Sequence, residues 1–143
     1  MTSRVFIDTN VLVYADDLDA GPKNTLARTL ISEALLQGTG VLSTQVLQEF
    51  FAVATRKLRV PAEIARRKVE LLAHMEVVRI AVEDILAAID LHRLHPVSFW
   101  DALIVQTAAS AGCSRLLSED LQHGRIIAGV KIENPFAGLA QSG

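Results

Sequence analysis

Apolar and polar positions along this chain switch repeatedly between a strand-like and a helix-like period, and the switches divide it into elements. RVFI at residues 4–7 is a short continuous apolar run of the kind a buried strand gives, and TNVLVYAD after it has helical spacing. DLDAGP reads as a loop. A helix is predicted through KNTLARTLISEALLQ, with Pro22 in its first turn and Gly38 at its C-terminal cap. GVLS is a second strand. TQVLQEFFAVATRKL places Leu47, Phe50, Phe51, Ala54 and Leu58 on one helical face, and Pro61 closes it and opens the helix PAEIARRKVELLAHM. EVVRIA follows as a third strand. VEDILAAIDLHRLH is helical until Pro96 breaks it, SFWDALIVQTAASAG is a further helix ending at Gly112, and RLLSE and VKIE are the last strands. Strands separated by helices predict an α/β protein, a three-layer α/β/α fold around a central mostly parallel sheet, in a single domain over residues 1–143.

Composition narrows the setting. Half of the 143 residues are hydrophobic, yet no apolar run nears the ~18 residues of a membrane span. MTSRVFID lacks the charged start and long apolar stretch of a secretory signal, so a soluble, cytoplasmic protein without membrane contact is expected. The lone Cys113 has no partner for an intrachain disulfide, which agrees with a reducing compartment, and it reads as a small buried residue. A net charge of -2 excludes the overall basic footprint of a typical nucleic-acid binder, so any polyanion needs a local patch. Two clusters flanking Pro61 are candidates for phosphate contacts: Arg56, Lys57 and Arg59, then Arg66, Arg67 and Lys68. Charge runs of this kind are more often solvated faces. The segments from Leu26 to Leu36 and from Val46 to Leu58 are more apolar than a chain of this size is expected to bury, which predicts a homodimer.

The candidate chemistry lies in acids at strand ends. Asp8 follows RVFI, Glu49 is in the helix after GVLS, Asp101 is in the helix after Pro96, and Asp120 follows RLLSE. Ligands of open parallel sheets bind beyond the carboxyl ends of the strands, where these residues can meet. Carboxylates ~6 Å apart at an effective dielectric of ~20 repel by roughly 3 kcal/mol per pair, and four together cost on the order of 10 kcal/mol, comparable to the stability of a domain. Such a cluster has to take up protons or cations, and hard oxygen donors suit Mg2+ or Mn2+ better than zinc. Taken singly, each acid has a structural reading. Asp8 can cap a helix, Ser98 to Asp101 matches a capping box, Asp120 can form a turn, and Glu49 can be an ordinary helical acid. Asp16, Asp17 and Asp19 lack the register of an EF-hand and read as a solvated loop. His92 and His95 have no further ligand nearby to complete a zinc site, and His74 and His123 stand alone.

DTNVL with Asp8, STQVLQEF with Glu49, FWDALIV with Asp101, LLSEDL with Asp120 and the closing IENPF, taken in that order from Arg4 to Phe136, resemble the PIN-domain ribonucleases. The resemblance is greatest to the VapC toxins of bacterial toxin-antitoxin pairs. It implies a metal-dependent endoribonuclease specific for single-stranded RNA, with Asp8, Glu49, Asp101 and Asp120 as the catalytic and metal-holding acids and a cognate antitoxin as partner. The last motif carries Ser118 where the family often has Thr, and of the adjacent acids Asp120 is taken to face the metal, with Glu119 as the alternative. Thr9, Asn10 and Ser118 are candidates to orient the carboxylates or contact phosphate, and turn or cap roles suit them equally. Two other classes stay open. An aspartyl phosphotransferase would also place Asp8 after its first strand, but it would have its second acid where Asn10 stands. The other is a silent RNA- or protein-binding module, against which the intact acids argue.

Overall fold

The computed structural model describes residues 3–139. Strand β1 (Val5–Ile7) is buried throughout, as its unbroken apolar run requires, and leads directly into helix α1 (Thr9–Asp16). A 3-10 turn (Leu18–Ala20) precedes α2 (Pro22–Gln37), which Gly38 ends in the left-handed conformation at φ 66°. Strand β2 (Gly40–Ser43) runs into α3 (Thr44–Arg56), whose first turn is capped by Ser43 Oγ accepting from the Val46 N–H. Then come α4 (Ala62–Leu72), β3 (Glu76–Val78), α5 (Val82–Leu94), α6 (Phe99–Ser110), β4 (Arg115–Leu117), β5 (Ile126–Ile127) and β6 (Val130–Glu133).

The sheet order is β3-β2-β1-β4-β6-β5, with every pairing parallel except β5 against β6. From β1 the chain first builds outward through β2 and β3, then returns to lay β4 on the other side of β1, with Phe6 opposite Leu116 and Ile7 opposite Leu117. The strand order therefore reverses between β1 and β4, which is where an open α/β sheet leaves a crevice at its carboxyl edge. Phe6, Ile7, Leu42, Leu116 and Ile132 form the buried sheet layer, and Leu12, Val46, Phe50 and Ile104 pack on it from the helices.

The three-layer, mostly parallel architecture is the one the periodicity predicts. Several boundaries differ. EVVRIA pairs only through Val78 and RLLSE only through Leu117, because beyond Leu117 the chain turns its polar groups toward Asp8. The helix expected to reach Met75 stops at Leu72, and Met75 instead fills the space over Gly40, where its Sδ lies 2.8 Å from the position a Cβ would take. DLDAGP contains a helical turn as well as loop. Strand β5 has no counterpart among the predicted strands. It joins β6 through Ala128 and Gly129 at φ 52° and 79°, and alanine in the first of those positions gives no turn signal of the Asn-Gly kind. The apolar segments expected to stay open are largely packed: Leu26, Leu30, Ile31 and Leu47 lie against the core, leaving Leu35, Leu36 and Phe51 exposed. A broader open stripe lies on α5, where Val82, Ile85, Leu86 and Ile89 recur at helical spacing and are exposed.

Candidate functional site

Asp8 stands at the strand-order reversal. Its N–H donates to the Leu117 carbonyl at 3.0 Å, continuing the ladder by one bond. Its carboxylate caps α1, accepting from the Thr9 N–H at 2.7 Å, and accepts from Ser118 Oγ at 2.7 Å on the neighbouring strand end. The structural reading of Asp8 is thus correct as far as it goes, and it does not exhaust the residue. Asp8 is 4 % exposed, and burial raises its carboxyl pKa to about 7, with Asp120 and Glu49 adding to the shift against the bonds from Ser118 and Thr9.

The other acids surround it along a cleft of about 870 Å³ that Asp8, Glu49, Asp101 and Asp120 all line. Thr9 Oγ1 donates to Glu49 Oε1 at 2.7 Å. Asn10 Nδ2 donates to Asp120 Oδ2 at 3.1 Å, and Asn10 Oδ1 accepts from the Glu119 N–H at 3.2 Å. Ser118 Oγ accepts from the Asp120 N–H at 3.1 Å. Thr9, Asn10 and Ser118 accordingly bind the carboxylates and their loops together rather than serving only as turn residues. Asp101 lies in the first turn of α6, where Ser98 Oγ accepts from the Asp101 N–H at 3.0 Å. The reciprocal bond of a capping box, from the Ser98 N–H to the Asp101 carboxylate, is not made among the described residues. Burial pushes the Asp101 carboxyl above its ordinary value against the opposing effect of the Ser98 hydroxyl, and Asp120 and Glu49 add to the rise.

Glu119 and Asp120 have different surroundings. Glu119 accepts from Tyr14 Oη and from Lys23 Nζ, each at 2.6 Å. Burial works against its charge, but those two bonds prevail and hold its pKa below the usual value. Asp120 is exposed at the cleft, and among the described residues its hydrogen bonds are to Asn10 and Ser118.

The basic candidates separate. Arg56 and Lys57 line the cleft. Arg59 occupies a left-handed turn at φ 58°. Arg66 is paired with Glu70, Lys68 with Asp16, and Arg67 is exposed on α4. Of the other groups weighed, Asp17 and Asp19 reach the cleft rim, where Asp17 caps the 3-10 turn. His92 Nδ1 donates to the Val97 carbonyl at 2.6 Å, tying down the chain after α5. Cys113 is buried, as expected.

Two residues at the site escaped the sequence reading. Gln45, buried one turn before Glu49, donates through Nε2 to Glu49 Oε2 and to the Trp100 carbonyl, both at 3.4 Å, and its Oε1 is buried without a donor among the described residues. The i, i+4 spacing of Gln45 and Glu49 is a signal that points to the first of these bonds. Lys23 lies far from Glu119 in sequence, and nothing local announces the pair.

The residues fit a hard divalent cation in chemistry but not as a finished cage. Among the described residues, no three carboxylate, imidazole or thiolate groups stand together closely enough to hold a metal ion. The four acids share one cleft, in which Asp8, Glu49 and Asp120 accept from separate hydrogen-bond donors. Mutual repulsion keeps uncompensated carboxylates apart. Burial is the largest cause of the raised pKa of Asp8, and the neighbouring Asp120 and Glu49 add to it.

The PIN-domain family profile matches residues 5–127. The chain belongs to the PIN-domain family. No curated protein sequence matches it. Among solved structures, this PIN domain is similar to VapC20 of Mycobacterium tuberculosis, described as a sarcin-ricin loop cleaving toxin, at 18% identity and TM-score 0.65, covering 81% of this chain and 91% of that one. It is also similar to the DNA-bound VapBC of Salmonella typhimurium at 19% identity and TM-score 0.66, covering 92% and 98%, and to a toxin-antitoxin complex from Klebsiella pneumoniae at 19% identity and TM-score 0.60, covering 96% and 92%. No helix among the described residues of the PIN domain is long and apolar enough to cross a membrane.

Proposed function

We propose that this PIN domain is a Mg2+- or Mn2+-dependent endoribonuclease that cuts single-stranded RNA and serves as the toxin of a toxin-antitoxin pair. The observation that carries the proposal is Asp8, buried at the strand-order reversal with a raised pKa and facing Glu49, Asp101 and Asp120 across one cleft. Asp8, Glu49, Asp101 and Asp120 are the residues that would hold the cation, which when bound activates water and stabilises charge on the phosphate. Thr9 and Gln45 orient Glu49, Asn10 orients Asp120, and Ser118 joins Asp8 to the Asp120 loop. Arg56 and Lys57, on the same cleft, supply cations for the phosphates that flank the scissile one.

The toxin assignment draws support from the VapC and VapBC structures that share the fold. We infer a cognate antitoxin as partner and a homodimer as the working state, in a cytoplasmic setting. The open apolar stripe on α5 supports an interface, and so do Leu35, Leu36 and Phe51.

The test is incubation of unstructured RNA with the protein in Mg2+ or Mn2+, with chelator as control. Metal-dependent internal cleavage is expected, and Asp8→Asn should lose at least the ~10- to 100-fold that removal of even an outer partner of a metal site costs. RNA binding without cleavage in either metal would leave the binding module standing, and phosphate release from a small monoester would favour the phosphotransferase.

A further inference from the structure

We propose that Trp100 is a stacking platform for one unpaired base of the substrate strand, set beside the acids so that the base and the scissile phosphodiester are held in register. The inference rests on the nuclease reading above and adds to it a residue that selects single strands. Trp100 is the only tryptophan of the chain, and it is 61 % exposed although tryptophan is usually largely buried. Its exposure is not at a random place, because it lines the same cleft as the four acids and precedes Asp101 in α6.

The ring is held rather than loose. Phe99 packs against it edge-on, with centroids 5.1 Å apart and planes at 71°. The Trp100 carbonyl accepts from Gln45 Nε2, and the same nitrogen donates to Glu49. One amide therefore ties the aromatic ring's backbone to an acid of the centre. Arg56 and Lys57 lie along the same cleft and offer charge for a strand's phosphates, so the cleft combines cations, an aromatic face and the acids. That is the combination that binds single-stranded nucleic acid, since every base has a π-face and an aromatic ring accepts it without reading its edge. In a duplex those faces are already covered by neighbouring pairs. Trp100 would thus discriminate by strandedness while leaving the base sequence free.

Trp100 fluorescence reports its own occupancy. In Asp120→Asn protein with Mg2+, a single-stranded RNA hexamer should quench it saturably, and an abasic ribose-phosphate hexamer or the same bases in a duplex should not. In steady-state cleavage by otherwise unaltered protein, Trp100→Ala should raise KM about 5- to 140-fold, the effect of losing one stacked base, with kcat much less affected. Trp100→Phe should recover most of the loss. If the hexamer binds by anisotropy while Trp100 emission is unchanged, or if Trp100→Ala leaves KM where it was, the platform is overturned and the nuclease reading survives. Emission that shifts with protein concentration and not with RNA would overturn it too, placing Trp100 between copies of the chain. If wild-type protein neither binds nor cuts RNA in Mg2+ or Mn2+, the nuclease reading fails and the platform with it.

Discussion

Asp8 unites two roles that conflict at neutral pH, a helix cap that wants a charged acceptor and a buried position that disfavours charge. Its carboxyl titrates at about 7 in the folded protein against an ordinary 3.8, so between about pH 4 and 7 the folded chain holds a proton that the unfolded chain releases. Without metal, the stability from this group is fully present below the unfolded value and is lost as pH rises through the folded one. Urea melts in chelator should show wild-type protein weakening from pH 5 to 8 relative to Asp8→Asn, which has no carboxyl to titrate. Divalent ions compete with the same proton, so half-saturating Mn2+ should fall as pH rises toward 7. Parallel pH profiles for the two proteins would mean that Asp8 is not the buried acid described. Individual acids were legible in the sequence because each follows a strand or a helix start. Gln45 and Lys23 were not singled out, one because a glutamine on a helix is ordinary, the other because its partner Glu119 is 96 positions away.

At the scale of elements, α6 separates two duties that one tetrapeptide suggested were shared. Ser98 Oγ caps the helix by binding the backbone N–H of Asp101, a bond that needs no particular side chain at 101. Ser98→Ala should therefore cost about 0.5–2 kcal/mol in chelator, the usual loss for an N-cap. Asp101→Ala should leave the metal-free protein as stable or more so, since it removes one charge from a crowded cleft. It should also abolish most of the stabilisation that Mn2+ gives wild-type protein by binding only the folded site. Urea melts with and without Mn2+ measure both, and an Asp101→Ala protein that keeps the full Mn2+ gain would remove Asp101 from the site. The amphipathic period of α3 and the apolar runs of β1 and α6 were readable from sequence, whereas β5 is too short to display alternation and exists because β6 offers it an edge.

At the scale of the molecule, the surface left apolar is informative. Val82, Leu86 and Leu94 of α5 are 65 %, 57 % and 79 % exposed, and exposed apolar stripes of this kind are favoured places for association. Light scattering should give a dimer, and Leu86→Glu should shift it toward a monomer that still melts cooperatively. Wild-type protein that stays monomeric over a wide concentration range would sink the idea. Of the segments chosen from sequence for this role, Leu26, Leu30, Ile31 and Leu47 pack on the core while Leu35, Leu36 and Phe51 stay exposed, because local hydrophobicity does not reveal which side the core will cover.

The placement of β4 beside β1 also has a consequence in time. Asp8 and Ser118 are 110 positions apart along the chain, as are Asn10 and Asp120, and such distant contacts form only after a large loop has closed. During synthesis, a chain extended as far as Ser110 carries Asp8, Glu49 and Asp101 but neither Ser118 nor Asp120. The ribosome that makes this protein is thus beside an incomplete cleft until β4 has emerged and paired with β1, and only then can Ser118 and Asp120 join Asp8 and Asn10.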